Sequence, residues 1–159
     1  MIPQRLKIGL DYHGVIDQHP AYFAIFCQEA LDRGHEIHII TGGPIKDVKA
    51  KLDDFNNPYS KIFAIVDYYE QKGLVSSLSK GGYTIAENLW NKSKGVYCAQ
   101  EKIDIHIDDS REYIKWFTTC YCIYNKDSNN CLIDNERIVD FSLSPKEALN
   151  KIEQILFNS

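Results

Sequence analysis

The chain has 159 residues, of which 44% are hydrophobic and 25% charged, and its formal net charge is −4. This length suits a single domain over residues 1–159, and the composition excludes wholesale disorder. The negative charge gives no general attraction to nucleic acid or to an anionic membrane, and no apolar run approaches the roughly 20 residues of a membrane span. We therefore expect a globular protein with no membrane partner, and a nucleic-acid partner is disfavoured although still open.

The five cysteines show no spacing typical of a zinc site or a redox pair. Cys120 and Cys122 alternate along a predicted strand, in a geometry that does not favour a bridge between them. The first residues also lack the pattern of a signal peptide. We therefore expect five free thiols and a cytoplasmic location.

Hydrophobic patterns predict a regular alternation of strands and helices in the first half of the chain. The apolar run over 7–10 is typical of a buried parallel strand, and it ends on Asp11. Further along, the patterns predict a helix over 21–33, a strand over 36–41, a helix over 45–55 and a strand over 62–66.

The second half begins with the segment that is hardest to assign. Residues 74–78 and 83–86 flank a glycine-containing turn and predict a hairpin, with helix as the competing interpretation for part of it. The elements predicted next are a helix over 88–102, a strand over 103–107, a short helix over 111–116, a strand over 120–124, a loop over 125–130 and a helix over 145–157. This alternation indicates an α/β fold, a three-layer Rossmann-like sandwich with a mostly parallel five-stranded sheet.

Polar residues stand where these predicted strands end. Asp11, Thr41 and the Asp108–Asp109 pair each follow an apolar run, and Lys94 lies on the helix before the last of them. The carboxyl ends of parallel strands meet at one edge of a sheet, so these groups are expected to converge. Facing carboxylates need a cation between them, and hard oxygen ligands favour Mg²⁺. The set suits phosphoryl transfer.

These motifs resemble the signature of the haloacid-dehalogenase-like superfamily. That signature is a strand ending in a nucleophilic aspartate, a strand ending in Thr or Ser, a lysine, and a strand ending in an acidic pair. Over residues 6–125 the chain has the corresponding motifs in family order: GLDYHGVI, IITGG, WNKSKG and IHIDDS.

The resemblance implies a role for each matching residue. Asp11 is expected to attack phosphorus and form an aspartyl-phosphate. Mg²⁺ is expected to be held by Asp11, by the backbone carbonyl of His13 and by Asp109, with Asp108 ligating or orienting. The phosphoryl group is expected to be held by Thr41, Gly42 and Lys94. Lys92 is the alternative lysine, but the two point about 200° apart on a helix and the spacing favours Lys94.

His13 departs from the family pattern, in which an aspartate two residues after the nucleophile acts as general acid and base. Histidine can serve both purposes near neutral pH, because its ordinary pKa is about 6.5. A steering or substrate-binding role and a structural role remain open. Of the other histidines, His38 and His106 are expected to be packed or surface residues within strands, and His35 to be solvated.

The family often inserts a cap domain over its active site, and this chain has no room for one. A hairpin over 74–86 is expected to serve as a small flap at most. An open site suits a large phosphorylated substrate or a lid from a partner subunit, so a homo-oligomer stays open.

The sequence thus predicts a Mg²⁺-dependent phosphatase-like hydrolase. The alternatives are a non-catalytic or regulatory domain that binds phosphate and metal, and a phosphatase of nucleotides or nucleic-acid ends.

Overall fold

A seven-stranded mixed sheet forms the centre of the fold in the computed structural model, which describes residues 4–77 and 83–158. The described residues form the strands β1 (Lys7–Leu10), β2 (Glu36–Thr41), β3 (Lys61–Ala64), β4 (Ser76–Ser77), β5 (Tyr83–Thr84), β6 (Ile105–Asp108), β7 (Cys120–Asn125), β8 (Asn130–Leu132) and β9 (Ile138–Asp140), of which β4 and β5 lie outside the central sheet. The helices are α1 (Pro20–Asp32), α2 (Ile45–Asp54), α3 (Ile65–Gln71), α4 (Glu87–Glu101) and α5 (Pro145–Phe157), with short 3₁₀ turns at Ile16–Gln18 and Ile114–Trp116.

The sheet has the strand order β3-β2-β1-β6-β7-β8-β9. The first five of these strands are parallel, whereas β8 and β9 continue the sheet in antiparallel fashion. The α/β class is therefore confirmed, and the expected five-stranded sheet is wrong in its number of strands. The pair β4–β5 forms a separate antiparallel sheet.

Apolar residues cover both faces of the sheet. Successive residues of a strand point to opposite faces, and the neighbours Ile39 and Ile40 belong to two different clusters. Ile39 packs in the larger cluster, which includes side chains of α1, α2 and α5, whereas Ile40 packs with Cys98 of α4. The sheet is thus covered by helices on each side.

Helix α5 shows how the sequence fixes an element boundary. The Ser144 hydroxyl oxygen accepts a hydrogen bond from the backbone N–H of Glu147, and the Glu147 carboxylate accepts one from the backbone N–H of Ser144. Pro145 occupies the first helical position, where its missing N–H costs no hydrogen bond. This reciprocal capping box starts the helix where the sequence predicts it.

Several boundaries differ from the predictions. The strand predicted over 62–66 ends at Ala64, because Ile65 already begins α3. The strand pair β4–β5 lies where the hairpin was expected, but its turn over 78–82 falls outside the described residues. Cys122 and Cys131 form a disulfide, so the expectation of five free thiols is wrong. Among the residues described, no helix combines the length and apolarity that crossing a membrane requires.

Candidate active site

The topology of the sheet creates a crevice beside β1. From β1 the chain moves outward through β2 and β3, and it then returns to the other side of β1 with β6 and β7. Ligands bind at such a switch point, outside the carboxyl ends of the strands. Asp11 directly follows β1 and Asp108 ends β6, and the Asp11 backbone N–H donates to the Ile107 carbonyl at 2.9 Å.

The loop after Asp11 carries a glycine for two reasons. Gly14 has a φ of +90°, which side-chain-bearing residues rarely adopt, and a Cβ at this position would collide with the Asp109 carboxylate. Its backbone N–H donates to Asp17 at 2.8 Å, which holds the turn closed. Gly14 thereby lets Asp109 lie directly against the loop of the expected nucleophile.

Lys94 reaches this crevice from α4. Its Nζ lies 2.8 Å from Oδ2 of Asp108 and 3.1 Å from Oδ1 of Asp11, and only 7% of the side chain is exposed. Burial alone would lower the pKa of Lys94, but the two carboxylates raise it above its usual value. The ammonium is therefore charged. Lys92 lines a different cavity, together with Val96, so the geometry favours Lys94 at this site.

The carboxylates of the site outnumber its lysine. Burial raises the pKa of Asp11, and the charges of Asp108 and Asp109 raise it further against the opposing effect of Lys94. Burial and the charge of Asp108 also raise the pKa of Asp109. Asp108 behaves differently: burial opposes its ionisation, but a hydrogen bond from His106 and the charge of Lys94 lower its pKa below the usual range. The site is thus short of positive charge.

His106 supports Asp108 from within the sheet. The two residues are two apart on β6, so they lie on the same face, and His106 Nε2 is 3.0 Å from Asp108 Oδ2. Burial lowers the pKa of the fully buried imidazole, which is therefore neutral and donates its Nε2–H. Its ring stacks on Phe117 with centroids 5.1 Å apart. Asp108 also accepts the backbone N–H of Ser110, so it is held in one orientation.

The acidic groups suit a divalent cation. One carboxylate oxygen from each of Asp11, Asp108 and Asp109 lies within 4.8 Å of the others. Oxygens that share an octahedron around Mg²⁺ at about 2.1 Å are at most about 4.2 Å apart, so small side-chain movements would complete the set. All three donors are hard oxygens, and the shortage of positive charge favours a cation there.

The expected phosphate-binding residues lie at the end of β2. Thr41 is fully buried, and its hydroxyl has no hydrogen-bond partner among the described residues. Such an unpaired hydroxyl is costly unless a ligand satisfies it. Gly42 and Gly43 follow and line a cavity of about 260 Å³ together with Asp11 and Lys94.

The rest of this cavity contains residues that the sequence did not single out. Trp90 and Tyr113 line it, and the indole N–H of Trp90 donates to the Tyr113 hydroxyl at 3.1 Å. His13 also lines the cavity, but its side chain is 54% exposed and its Nδ1 lies 3.6 Å from Asp17. The structure thus brings Lys94 into contact with Asp11 and Asp108 and places Asp109 within 4.8 Å of both acids, whereas His13 lies at the rim and the buried Thr41 does not line the cavity.

The comparisons with known proteins provide no relative. No family model, no curated protein and no solved structure matches this chain. The chemistry of the site is therefore interpreted from its own residues.

Proposed function

We propose that this protein is a Mg²⁺-dependent phosphomonoesterase that works through an aspartyl-phosphate on Asp11. The observation that carries the proposal is the convergence of Asp11, Lys94, Asp108 and Asp109 at the switch point of a parallel sheet. This is the site expected of a haloacid-dehalogenase-like hydrolase, built on a Rossmann-like sandwich. Only the segment 11–19 separates β1 from α1, which is too short for a cap domain at this point and supports a capless member of that superfamily.

In the first step, a carboxylate oxygen of Asp11 attacks phosphorus, and the bond from phosphorus to the ester oxygen breaks. Lys94 and the backbone at Gly42 hold the oxygens of the phosphoryl group. Because Lys94 already contacts Asp11, it can neutralise charge on the attacking carboxylate and on the phosphoryl group. Positioning and charge neutralisation supply most of the catalysis in such transfers.

The metal would be held by Asp11, Asp108, Asp109 and the backbone carbonyl of His13. When bound, Mg²⁺ supplies positive charge that stabilises the phosphoryl oxygens in the transition state. In the second step, water attacks the aspartyl-phosphate and releases inorganic phosphate. His13 is positioned at the rim of the cavity, where it can exchange protons with solvent and with the leaving group.

A second candidate function is phosphate and metal binding without turnover. The position of His13 favours it, because a general acid has to lie within hydrogen-bonding reach of the leaving oxygen and this side chain is largely exposed beside Asp17. The two candidates share the metal and phosphate site. They differ in whether His13 transfers a proton.

The experiment that tests the proposal compares Asp11→Asn with the wild type on an activated aryl phosphate in the presence of Mg²⁺. Asparagine is nearly isosteric but is not a nucleophile, so we expect activity to fall by several orders of magnitude, on the scale seen when an enzyme loses its nucleophile. The matched control is Asp53→Asn on the exposed face of α2, which should retain activity. Near-normal turnover by Asp11→Asn would exclude the aspartyl-phosphate.

His13→Asp separates the two candidate functions. If the wild type turns over no phosphate ester while His13→Asp does, the natural protein is a binding module built on a phosphatase site. If the wild type is active and His13→Ala slows alkyl phosphates far more than activated aryl phosphates, His13 is the general acid.

A further inference from the structure

The aromatic pair Trp90–Tyr113 forms one wall of the cavity that contains Asp11. Trp90 and Lys94 are four residues apart on α4, so they face the same side of the helix. Tyr113 belongs to the loop after β6, and the Lys94 ammonium lies 5.6 Å from its ring centroid. The hydrogen bond between the two aromatic side chains therefore joins α4 to this loop beside the expected phosphoryl site.

Trp90 is held in this position by a second contact. A Cβ placed on Gly42 would lie 2.9 Å from the Cη2 atom of the indole ring, so the ring packs directly on the backbone of the expected phosphate-binding segment. With its N–H bound to Tyr113 and its six-membered ring against Gly42, the indole is held rigidly beside the reacting centre. A rigid aromatic surface binds a planar ring with little loss of conformational entropy.

A neighbouring cavity of about 290 Å³ offers a different environment. Asp109 and Gly14 line it, and its other described lining residues include Arg111 and Lys126 but neither Asp11 nor Lys94. The transferring phosphoryl group has to contact Asp11, so its leaving group emerges into the cavity with the aromatic wall. Four residues that line that cavity, Asp11, Lys94, Asp108 and Asp109, are expected to bind the phosphoryl group and the metal. The leaving group therefore meets the other lining residues, which include Trp90 and Tyr113.

The aromatic wall lies close to the place where phosphorus is expected to bind. Trp90 packs on the backbone of Gly42, which is expected to hold the phosphoryl group, and it lies about one helical turn from Lys94. A ring bonded directly to the ester oxygen would therefore reach the indole, whereas a base beyond a ribose would lie farther from phosphorus.

We propose that Trp90 and Tyr113 form the leaving-group subsite and that the enzyme prefers aryl phosphates, in which an aromatic ring is bonded directly to the ester oxygen. This inference rests on the proposed function. In the transfer, Asp11 forms a bond to phosphorus, and the bond between phosphorus and the phenolic oxygen breaks with its electron pair remaining on that oxygen. A phenol has a pKa of about 10 and leaves with little protonation, which suits a site whose acid is an exposed His13.

The first test measures binding without turnover. Phenylphosphonate and methylphosphonate, neither of which has a hydrolysable ester, are titrated calorimetrically into the protein with saturating Mg²⁺. Ring stacking is worth about 1–3 kcal/mol, so we expect phenylphosphonate to bind the wild type at least about fivefold more tightly. In Trp90→Leu this ratio should fall to within about twofold of one. Trp116→Leu, at the other tryptophan, which is 40% exposed, is the matched control and should keep the ratio.

The outcomes separate this inference from the proposed function. Equal affinity of the wild type for the two phosphonates would overturn the aromatic subsite however well Trp90→Leu folds, and so would an unchanged ratio in a folded Trp90→Leu. Turnover of acetyl phosphate tests phosphoryl transfer without an aromatic group. Turnover without a preference for the phenyl ligand leaves the proposed function standing and removes the inference, whereas a preference without turnover of any ester removes the function and the leaving-group role and leaves only an aromatic binding wall. A larger kcat/KM for nucleoside monophosphates than for phenyl phosphate would also overturn the aryl assignment.

Discussion

Gly9 and His106 lie opposite each other on β1 and β6, and each restricts what the other position accepts. A Cβ on Gly9 would lie 2.8 Å from Nδ1 of His106 and 2.8 Å from the Cδ1 atom of Ile40. The imidazole lies over the backbone of β1 while its other nitrogen donates to Asp108. Because Gly9 has no side chain, there is room over β1 for the His106 ring, which hydrogen-bonds to Asp108.

Gly9→Ala should consequently destabilise the protein through His106. Overpacking of a filled core costs about 1–3 kcal/mol, and we expect the free energy of unfolding, measured by urea denaturation, to fall by that amount. In a His106→Ala background the cost of Gly9→Ala should be about 1 kcal/mol smaller, because the ring that the methyl group meets is gone. An identical cost in both backgrounds would mean that the strain arises elsewhere.

At the residue scale, the sequence predicts the acidic and basic groups of the site and misses their supports. Asp11 and the Asp108–Asp109 pair stand out because charged residues directly after apolar runs are unusual, and Lys94 was expected from the order of the motifs. Strand periodicity places His106 on the same face as Asp108, because residues two apart on a strand share a face. The periodicity does not reveal which face contacts the site. His35, expected to be solvated, is buried and accepts the backbone N–H of Leu6 through Nδ1.

At the scale of elements, His35 takes part in a link between α1 and α5. Its Nε2 lies 2.8 Å from Oε1 of Glu153, and the guanidinium of Arg33 lies 3.0 Å from Oε2 of the same carboxylate. Burial raises the pKa of Glu153, but the hydrogen bonds from His35 and Arg33 outweigh it and lower the pKa below its ordinary value. Glu153 thus fastens α5 to the end of α1 in its ionised form.

Glu153→Gln should weaken this link and change its pH dependence. A carboxylate whose pKa is lowered in the folded state stabilises above its unfolded pKa of about 4.3, and this contribution is lost as the pH falls through the folded value. We expect the variant to lose about 1–2 kcal/mol at pH 7 and to show a flatter decline between about pH 5 and pH 3. Urea denaturation across this range measures both effects, with the exposed Glu136→Gln as control. Parallel acid limbs in the variant and wild type would contradict the assignment.

There are physical reasons why the sequence patterns did not predict some of the elements. The run over 62–66 is apolar throughout, and periodicity does not distinguish a buried strand from the first turn of a buried helix such as α3. Strands β8 and β9 have three residues each, which is too short for a clear period, and they are held by backbone pairing of β8 with β7 and of β9 with β8. The long helices and the parallel strands, which have a clear period, were found.

At the scale of the whole molecule, the order of the strands brings distant residues together. The sequence predicts that strand ends share one edge of the sheet, but it does not state which strands are neighbours. The order β2-β1-β6 places Asp11 between the hydroxyl-bearing end of β2 and the acidic end of β6. The aromatic wall depends on α4 and the loop after β6 meeting across the crevice, which no local pattern indicates.

Magnesium should stabilise the entire fold if it binds at this edge. Binding to the folded state alone adds about 2.7 kcal/mol at a ligand concentration of 100 times Kd. We expect Mg²⁺ to raise the Tm of the wild type and of Asp53→Asn, and to leave the Tm of Asp109→Asn unchanged. Without Mg²⁺, Asp109→Asn should be at least as stable as the wild type, because it removes a like charge beside Asp108. An equal Mg²⁺ response in Asp109→Asn would place the ion elsewhere.

The course of α4 past the crevice has a consequence for how the site would come apart during unfolding. Asp11 and Asp108 are anchored to strands that are paired on both sides, whereas Lys94 and Trp90 share one helix packed on the sheet. Loosening that helix would withdraw the ammonium and the indole together and leave the acids in place. What remained would be a cluster of repelling carboxylates that still attracts cations but no longer retains an anion. If α4 opens before the strands separate, the site would therefore lose its anion-binding groups first and keep its acidic cluster.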